Sequence, residues 1–140
     1  MEDTNAIQQT ADAERATKAF ELEENIKQLK YQVGRSFLDL GKTLKEDRDG
    51  KYYLELGYEI ISDWLSSPEI SISPNWAWNV IAIYEVFIVE NKIPPEKLLA
   101  ADYTKLHQIV PVVRKKPEDI DRWLEAAQTL RRIDLQKELK

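Results

Sequence analysis

Residues 56–87 read LGYEIISDWLSSPEISISPNWAWNVIAIYEVF. The stretch predicts a short amphipathic helix, a tight polar connection and a longer helix. Pro68 closes the first helix, because proline lacks an N–H and its ring clashes with the preceding turn. Ser73 offers a side-chain oxygen as an N-cap, and Pro74 suits the first helical position. The second helix is expected to run from Pro74 to about Asn91. At about 100° per residue, Ala77, Val80, Ile81, Tyr84 and Ile88 share one face. A small residue at Ala77 is what close crossing by the preceding helix requires. The opposite face carries Asn75, Asn79, Ala82, Ile83, Val86 and Glu90. It is apolar for a solvent-facing surface, so it is expected to contact a helix, a second subunit or a partner. This is the outline of a helix-turn-helix-like unit at 58–91.

Upstream, no proline occurs from Ala6 to Glu46. Leu22, Ile26, Leu29, Val33, Phe37, Leu40 and Leu44 follow steps of three or four, the spacing of one helix face. Residues 1–47 therefore read as a long N-terminal helix, or two with a break, and 48–140 as a compact helical domain. The long helix should stop near Arg48-Asp49-Gly50, with the glycine placed to end it. It is longer than one small domain needs. Its stripe from Leu22 to Leu44 is expected to pair with a second copy and give a homodimer. The plainer reading is a helix folded back along its own domain. Gly34 and Gly41 lie on nearly the same side, either as weak points of the helix or as places that admit another helix closely.

Downstream, Lys51 to Leu56 reads as about one helical turn capped by Gly57. Glu59 to Leu65 follows, with Ile60, Ile61, Trp64 and Leu65 turned inward. Ile93-Pro94-Pro95 makes a rigid turn into a short helix. Asp102 caps the next helix, which Pro111 must kink or end. Lys116-Pro117-Glu118-Asp119 starts a helix with an inner stripe of Ile120, Trp123, Leu124, Ala127 and Leu130. Asp134 is expected to cap a last helix ending at Leu139. Ile70 to Ser73 alternates but is too short for a sheet. The fold class expected is all-α.

Composition narrows the chemistry. The chain has 140 residues, 43% of them hydrophobic, enough for a core. The absence of cysteine removes disulfides, thiolate zinc sites and cysteine nucleophiles together. His107 is the only histidine, so a multi-histidine metal site is impossible. Gly41-Lys42-Thr43 resembles the end of a phosphate-binding loop. That pattern needs a glycine where Ser36 stands, and a loop where this chain reads as helix. Glu23-Glu24, Asp47 with Asp49, and Glu118-Asp119 read as solvated faces, turns or helix starts rather than catalytic pairs. An enzyme, a metal and a cofactor are not expected. The polar N-terminus carries no signal core. The apolar run from Val80 to Val89 is too short to span a bilayer. A cytoplasmic protein with no membrane partner is expected.

Net charge is −5, against a nucleic-acid partner overall. Its distribution is uneven. Residues 105–140 hold nine basic and six acidic side chains, whereas 35–104 hold seven and twelve. Attraction to phosphate would sit in the C-terminal third, at Arg114, Lys115, Lys116, Arg131 and Arg132. The same charges also suit a solvated helix surface. Trp76 and Trp78 flank opposite sides of the Ala77 stripe. One is expected to clamp the core edge and the other to be a contact residue, for protein or for bases.

Three segments carry a resemblance: FLDLGKTLKEDRDGKYYLELGYEIISDWL, EISISPNWAWNVIAIYEVF and WLEAAQTLRRIDLQKEL. Together they resemble helical DNA-binding-type proteins of phages, plasmids and other mobile elements, over roughly residues 36 to 139. The resemblance implies a helix-turn-helix-like fold and DNA binding. It matches Ser73, Asn75, Trp76 and Asn79 to the exposed start of the second helix. A carboxamide at Asn75 or Asn79 suits the donor–acceptor edge of adenine. This chain departs from a usual DNA reader in having no lysine or arginine from Pro74 to Asn91. Two functions therefore compete. The one the resemblance puts first is a DNA-binding regulator of a phage or mobile element. The other is a non-enzymatic module that binds a host protein as inhibitor, adaptor or recruiter, with Trp76, Trp78 and Val86 at its interface.

Overall fold

A computed structural model describes residues 4–140. The protein is all-α, with no strand among the described residues. Helix α1 runs Thr4–Gly50, and a 3-10 turn follows at Tyr52–Leu56. Then come α2 (Ile61–Leu65) and α3 (Pro74–Ile83), which continues in wider π-helical winding over Tyr84–Glu90. The chain closes with α4 (Pro95–Leu98), α5 (Tyr103–Lys115), α6 (Ile120–Thr129) and α7 (Arg132–Glu138). It divides into two units, one ending at Val33 and the other Gly34–Lys140.

In the first unit every described residue is exposed, from Thr4 to Val33. The helix there rests on local forces. No glycine or proline interrupts it. Gln8 donates to Asp12 at 3.0 Å, and Lys27 lies 3.4 Å from Glu24. Such pairs contribute a few tenths of a kcal/mol each, roughly 0.2–0.5.

The second unit holds two buried clusters. The smaller is built from Leu44, Leu65, Ala77 and Ile81, with Leu40, Ile61, Trp64, Ile70 and Ile72 packed on it. The larger takes Leu38, Ile83, Val86 and Phe87 together with the inner faces of α5 and α6 and Leu135 of α7. The α3 segment contributes to both. That explains why its sequence is apolar on two sides. The apolar members of the face expected to need an outside contact, Ala82, Ile83 and Val86, are packed within the chain, where α3 meets α5, while Asn75 and Glu90 stay exposed. The π-helical winding advances the chain by fewer degrees per residue than an α-helix. It brings Val86 and Phe87 inward together and leaves Val89 exposed.

Gly41 explains how α1 and α3 approach. A Cβ there would lie 2.8 Å from the Val80 carbonyl oxygen and 3.0 Å from the Tyr84 Cβ. Only glycine allows this crossing without displacement of backbone. The end of α1 differs from expectation. The left-handed residue after the helix is Lys51, at φ 54°, rather than Gly50. Asp47 Oδ1 accepts from the Tyr53 N–H at 3.1 Å and fixes the chain reversal that follows.

Other local expectations are corrected. Ile60 is exposed, not inward, because it precedes α2 in extended geometry. Ser73 stands at the N-cap of α3 but makes no side-chain cap hydrogen bond. Of the two outcomes expected at Pro111, a kink or an end, the end is excluded, since α5 continues to Lys115. Asp134 is not the cap of α7. Arg131 holds that place, and Asp134 in the first turn accepts from Arg131 Nε at 3.0 Å. Asp102 caps α5 as expected, accepting from the Lys105 N–H at 3.2 Å.

Candidate interaction surfaces

The start of α3 carries the residues the sequence marks for reading bases. Ser73 and Asn75 are exposed, and Asn79 is half-buried. Trp76 is half-buried and engaged. Its ring meets Phe37 edge-on at 5.2 Å, and Phe37 stacks on Tyr103 at 4.3 Å. Such ring pairs prefer these offset and edge geometries, where the positive rim of one ring meets the negative face of another. Trp76 therefore joins α3 to α1, and Phe37 carries the ring contact on to α5. Trp78, two residues on, points elsewhere and is 36% exposed. Val86 is fully buried at 0% and offers no surface, so its place among interface residues is corrected.

The electrostatics around α3 oppose phosphate. No lysine, arginine or histidine occurs from Tyr52 to Asn91. Six carboxylates lie in that interval, and among the described residues only Glu85 has an ion-pair partner, Arg48 at 3.1 Å. The exposed carboxylates at Glu55, Glu59, Asp63, Glu69 and Glu90 have no ion-pair partner among the described residues. A phosphate approaching this region meets like charge.

The basic candidates lie on other elements. Arg114 and Lys115 occupy the last turn of α5, with Lys116 just after it. There they face the unpaired carbonyls of a helix C-terminus, which favours cations without any ligand. Arg131 and Arg132 stand at the start of α7. All five are exposed. Lys116 lies 3.6 Å from Asp119 and Arg131 pairs with Asp134, whereas Arg114, Lys115 and Arg132 have no carboxylate partner among the described residues. No hydrogen bond, ion pair or ring contact joins these five to Ser73, Asn75, Trp76 or Asn79.

The apolar stripe of α1 divides. Leu38 and Leu44 are buried, and Phe37 and Leu40 are half-buried. Leu22, Ile26, Leu29 and Val33 are 48% to 64% exposed, on the same helical spacing. Four large aliphatic side chains therefore stand in water in one row on one helix. Tyr52, Leu54, Leu56 and Ile60 are also exposed, but they lie on a tight 3-10 turn and its sequel. Successive residues there point in different directions, so they share no single face.

One cluster escapes sequence reading. Lys45 donates to Asp49 at 2.6 Å, Arg48 Nε to Asp49 at 3.0 Å, and Arg48 Nη1 to Glu85 at 3.1 Å. The Lys45–Asp49 spacing of four is a readable helix pair. The Arg48–Glu85 contact spans 37 positions and needs the folded chain. The Lys45 hydrogen bond, then that of Arg48, holds the Asp49 carboxyl below its ordinary 3.8. The Asp49 hydrogen bond raises Lys45, and the Glu85 hydrogen bond raises Arg48. Lys45 and Asp49 also border an open cleft of about 510 Å³, with Lys42, Glu46, Tyr52 and Tyr84. Within the cluster the charges are satisfied by one another, and the Arg48–Glu85 pair ties the end of α1 to the π-helical segment. Gly41-Lys42-Thr43 lies within α1 and forms no loop.

Among the described residues no group of histidines and carboxylates is arranged to hold a metal ion. No described helix is long and apolar enough to cross a membrane. No protein-family model, characterised protein or solved structure matches the chain.

Proposed function

We propose that the chain is a non-enzymatic protein-interaction module that docks through the exposed stripe of α1. One observation carries this reading: Leu22, Ile26, Leu29 and Val33 form an apolar row that is 48% to 64% exposed. Covering such a row removes apolar surface from water, the main driving force of protein association. The occupants in question are a second copy of the chain and another protein, such as a host protein. Trp78 is a secondary contact residue, being the exposed member of its pair.

A second reading, a DNA-binding regulator of a phage or mobile element, is favoured by Arg114, Lys115 and Arg132. These exposed cations lack carboxylate partners among the described residues. In that reading Ser73, Asn75 and Asn79 contact base edges. It ranks second because the whole α3 region lacks positive charge and Trp76 is engaged by Phe37.

The test places a photo-crosslinking amino acid at Leu29 in the full chain and irradiates expressing cells. The expected result is a covalent adduct to protein that disappears with Ile26→Glu. In parallel, binding to mixed-sequence duplex is titrated with salt, since phosphate contacts give an affinity that falls steeply as salt rises. The interaction reading is overturned if no protein adduct forms while duplex binding is tight at low salt and lost on Arg131→Ala with Arg132→Ala.

A further inference from the structure

The geometry points to a second copy as the occupant: we propose that Ala19 to Val33 of α1 pairs in a parallel, two-stranded coiled coil. The inference rests on the interaction reading above and names its partner. Written as heptads, Ala19, Ile26 and Val33 fall at a, and Leu22 and Leu29 at d. The side-chain types follow the positions. Every large a residue is branched at Cβ, and every d residue is leucine. In a parallel pair the a side chain lies along the wall of its hole, where Cβ branching fits. The d side chain points into its hole, where leucine fits, so this choice favours two parallel strands. An antiparallel pair would mix the layers, setting Ile26 against the partner's Leu29.

Charge complementarity agrees. Lys18 falls at g and Glu23 at the following e, two positions that face each other across a parallel pair. Two such contacts form per dimer. Within one chain Glu23 meets Lys27 only at 3.9 Å, with both side chains more than 60% exposed. That loose contact is easily exchanged for one with the partner's Lys18. The pairing is bounded at both ends. Asp12 and Arg15 occupy the preceding core positions, and Ser36 the next one after Val33. Leu40, the a position beyond, is packed on the smaller core cluster of its own chain. A contact of little more than two heptads is short, so the dimer is reversible and concentration-dependent.

Sedimentation equilibrium of the full chain, from low micromolar to millimolar, tests this. The expected result is a monomer–dimer equilibrium. Ile26→Glu should raise its Kd at least about tenfold, as loss of a central apolar contact does. Leu29→Glu serves as a second variant at a d position. Orientation is tested by charge exchange. Lys18→Glu should weaken the dimer and Lys18→Glu with Glu23→Lys should restore it. An antiparallel pair would ignore the first change, and the second would weaken it, since Glu23 would there face the partner's Lys30. The chain has no cysteine, so Ala19→Cys gives a further check: a parallel pair closes a symmetric disulfide under mild oxidation. A monomer across the whole range, a trimer, or failure of the charge exchange to restore pairing overturns the proposal. A monomer that still gives the Leu29 adduct with a different protein overturns self-pairing alone. Loss of both overturns the interaction reading as well.

Discussion

Helix α1 contains two stretches with the same apolar spacing and opposite fates. Between Leu22 and Val33 the stripe is exposed, and between Leu38 and Leu44 it is buried. Periodicity alone does not separate them. What differs is the residue beside the stripe and what reaches it. In the second stretch Gly41 admits the Val80 carbonyl and the Tyr84 side chain to within van der Waals contact of the helix. Phe37 adds a ring that Trp76 and Tyr103 grip. The first stretch is interrupted by no glycine and carries Glu23, Glu24, Lys27 and Lys30 around its leucines. It has the composition of a helix that keeps its surface in water and meets a similar helix through one narrow row.

The contrast yields a graded set of expectations. Leu44→Ala should cost about 2–5 kcal/mol, because a fully packed site cannot collapse around the lost atoms. Urea unfolding of the full chain measures it. A loss on the scale of a surface substitution would mean that the two stretches differ less than their burial indicates. Gly41→Ala should cost about 1–3 kcal/mol by overpacking, since the atom its Cβ meets is a backbone oxygen that cannot rotate away. Stabilisation instead, from the better helix propensity of alanine, would show that the α1–α3 crossing is slack.

Smaller effects belong to the ion cluster at the end of α1. Arg48→Ala removes the half-buried contact to Glu85 and should cost about 1 kcal/mol, partly screened by salt. The acid limb of stability tests Asp49. Its folded pKa is held below the ordinary 3.8 by Lys45 and then Arg48. The contribution is therefore present above about pH 4 and is lost as pH falls through the folded value. Asp49→Asn should flatten that part of the stability–pH curve, and an unchanged curve would remove the cluster from the account of α1's end. The smallest effect is expected in the exposed stretch. Leu29→Ala, measured on dilute monomer, should change stability by less than about 0.5 kcal/mol. The same substitution should weaken self-association clearly. A change in both together would show that the exposed row also supports the chain's own fold.

Much of the architecture was readable. The uninterrupted run to Glu46, the Ser73-Pro74 start, the Asp102 cap and the stripe of Trp123, Leu124 and Ala127 each follow from a local rule, and each appears where that rule puts it. The candidate site was less readable. A helical wheel sets Val86 opposite Ala77 and so suggests an outside partner. The wheel assumes constant α-helical winding and one buried side. The chain instead widens its winding at Tyr84 and wraps α5 over the other face. Ile60 failed for a related reason: it precedes the helix whose periodicity was used to place it. The Arg48–Glu85 pair had no local signature at all.

The sequence by itself determined the helical class, the breaks between helices, the absence of thiol chemistry and the lack of positive charge around α3. These depend on residue type and on neighbours within about one turn, and such information is present before folding. Only the tertiary structure decided which apolar residues were core and which remained surface. Burial is a property of what arrives from distant positions. Identical spacing in α1 is covered where Gly41 lets α3 in, and stays open between Leu22 and Val33.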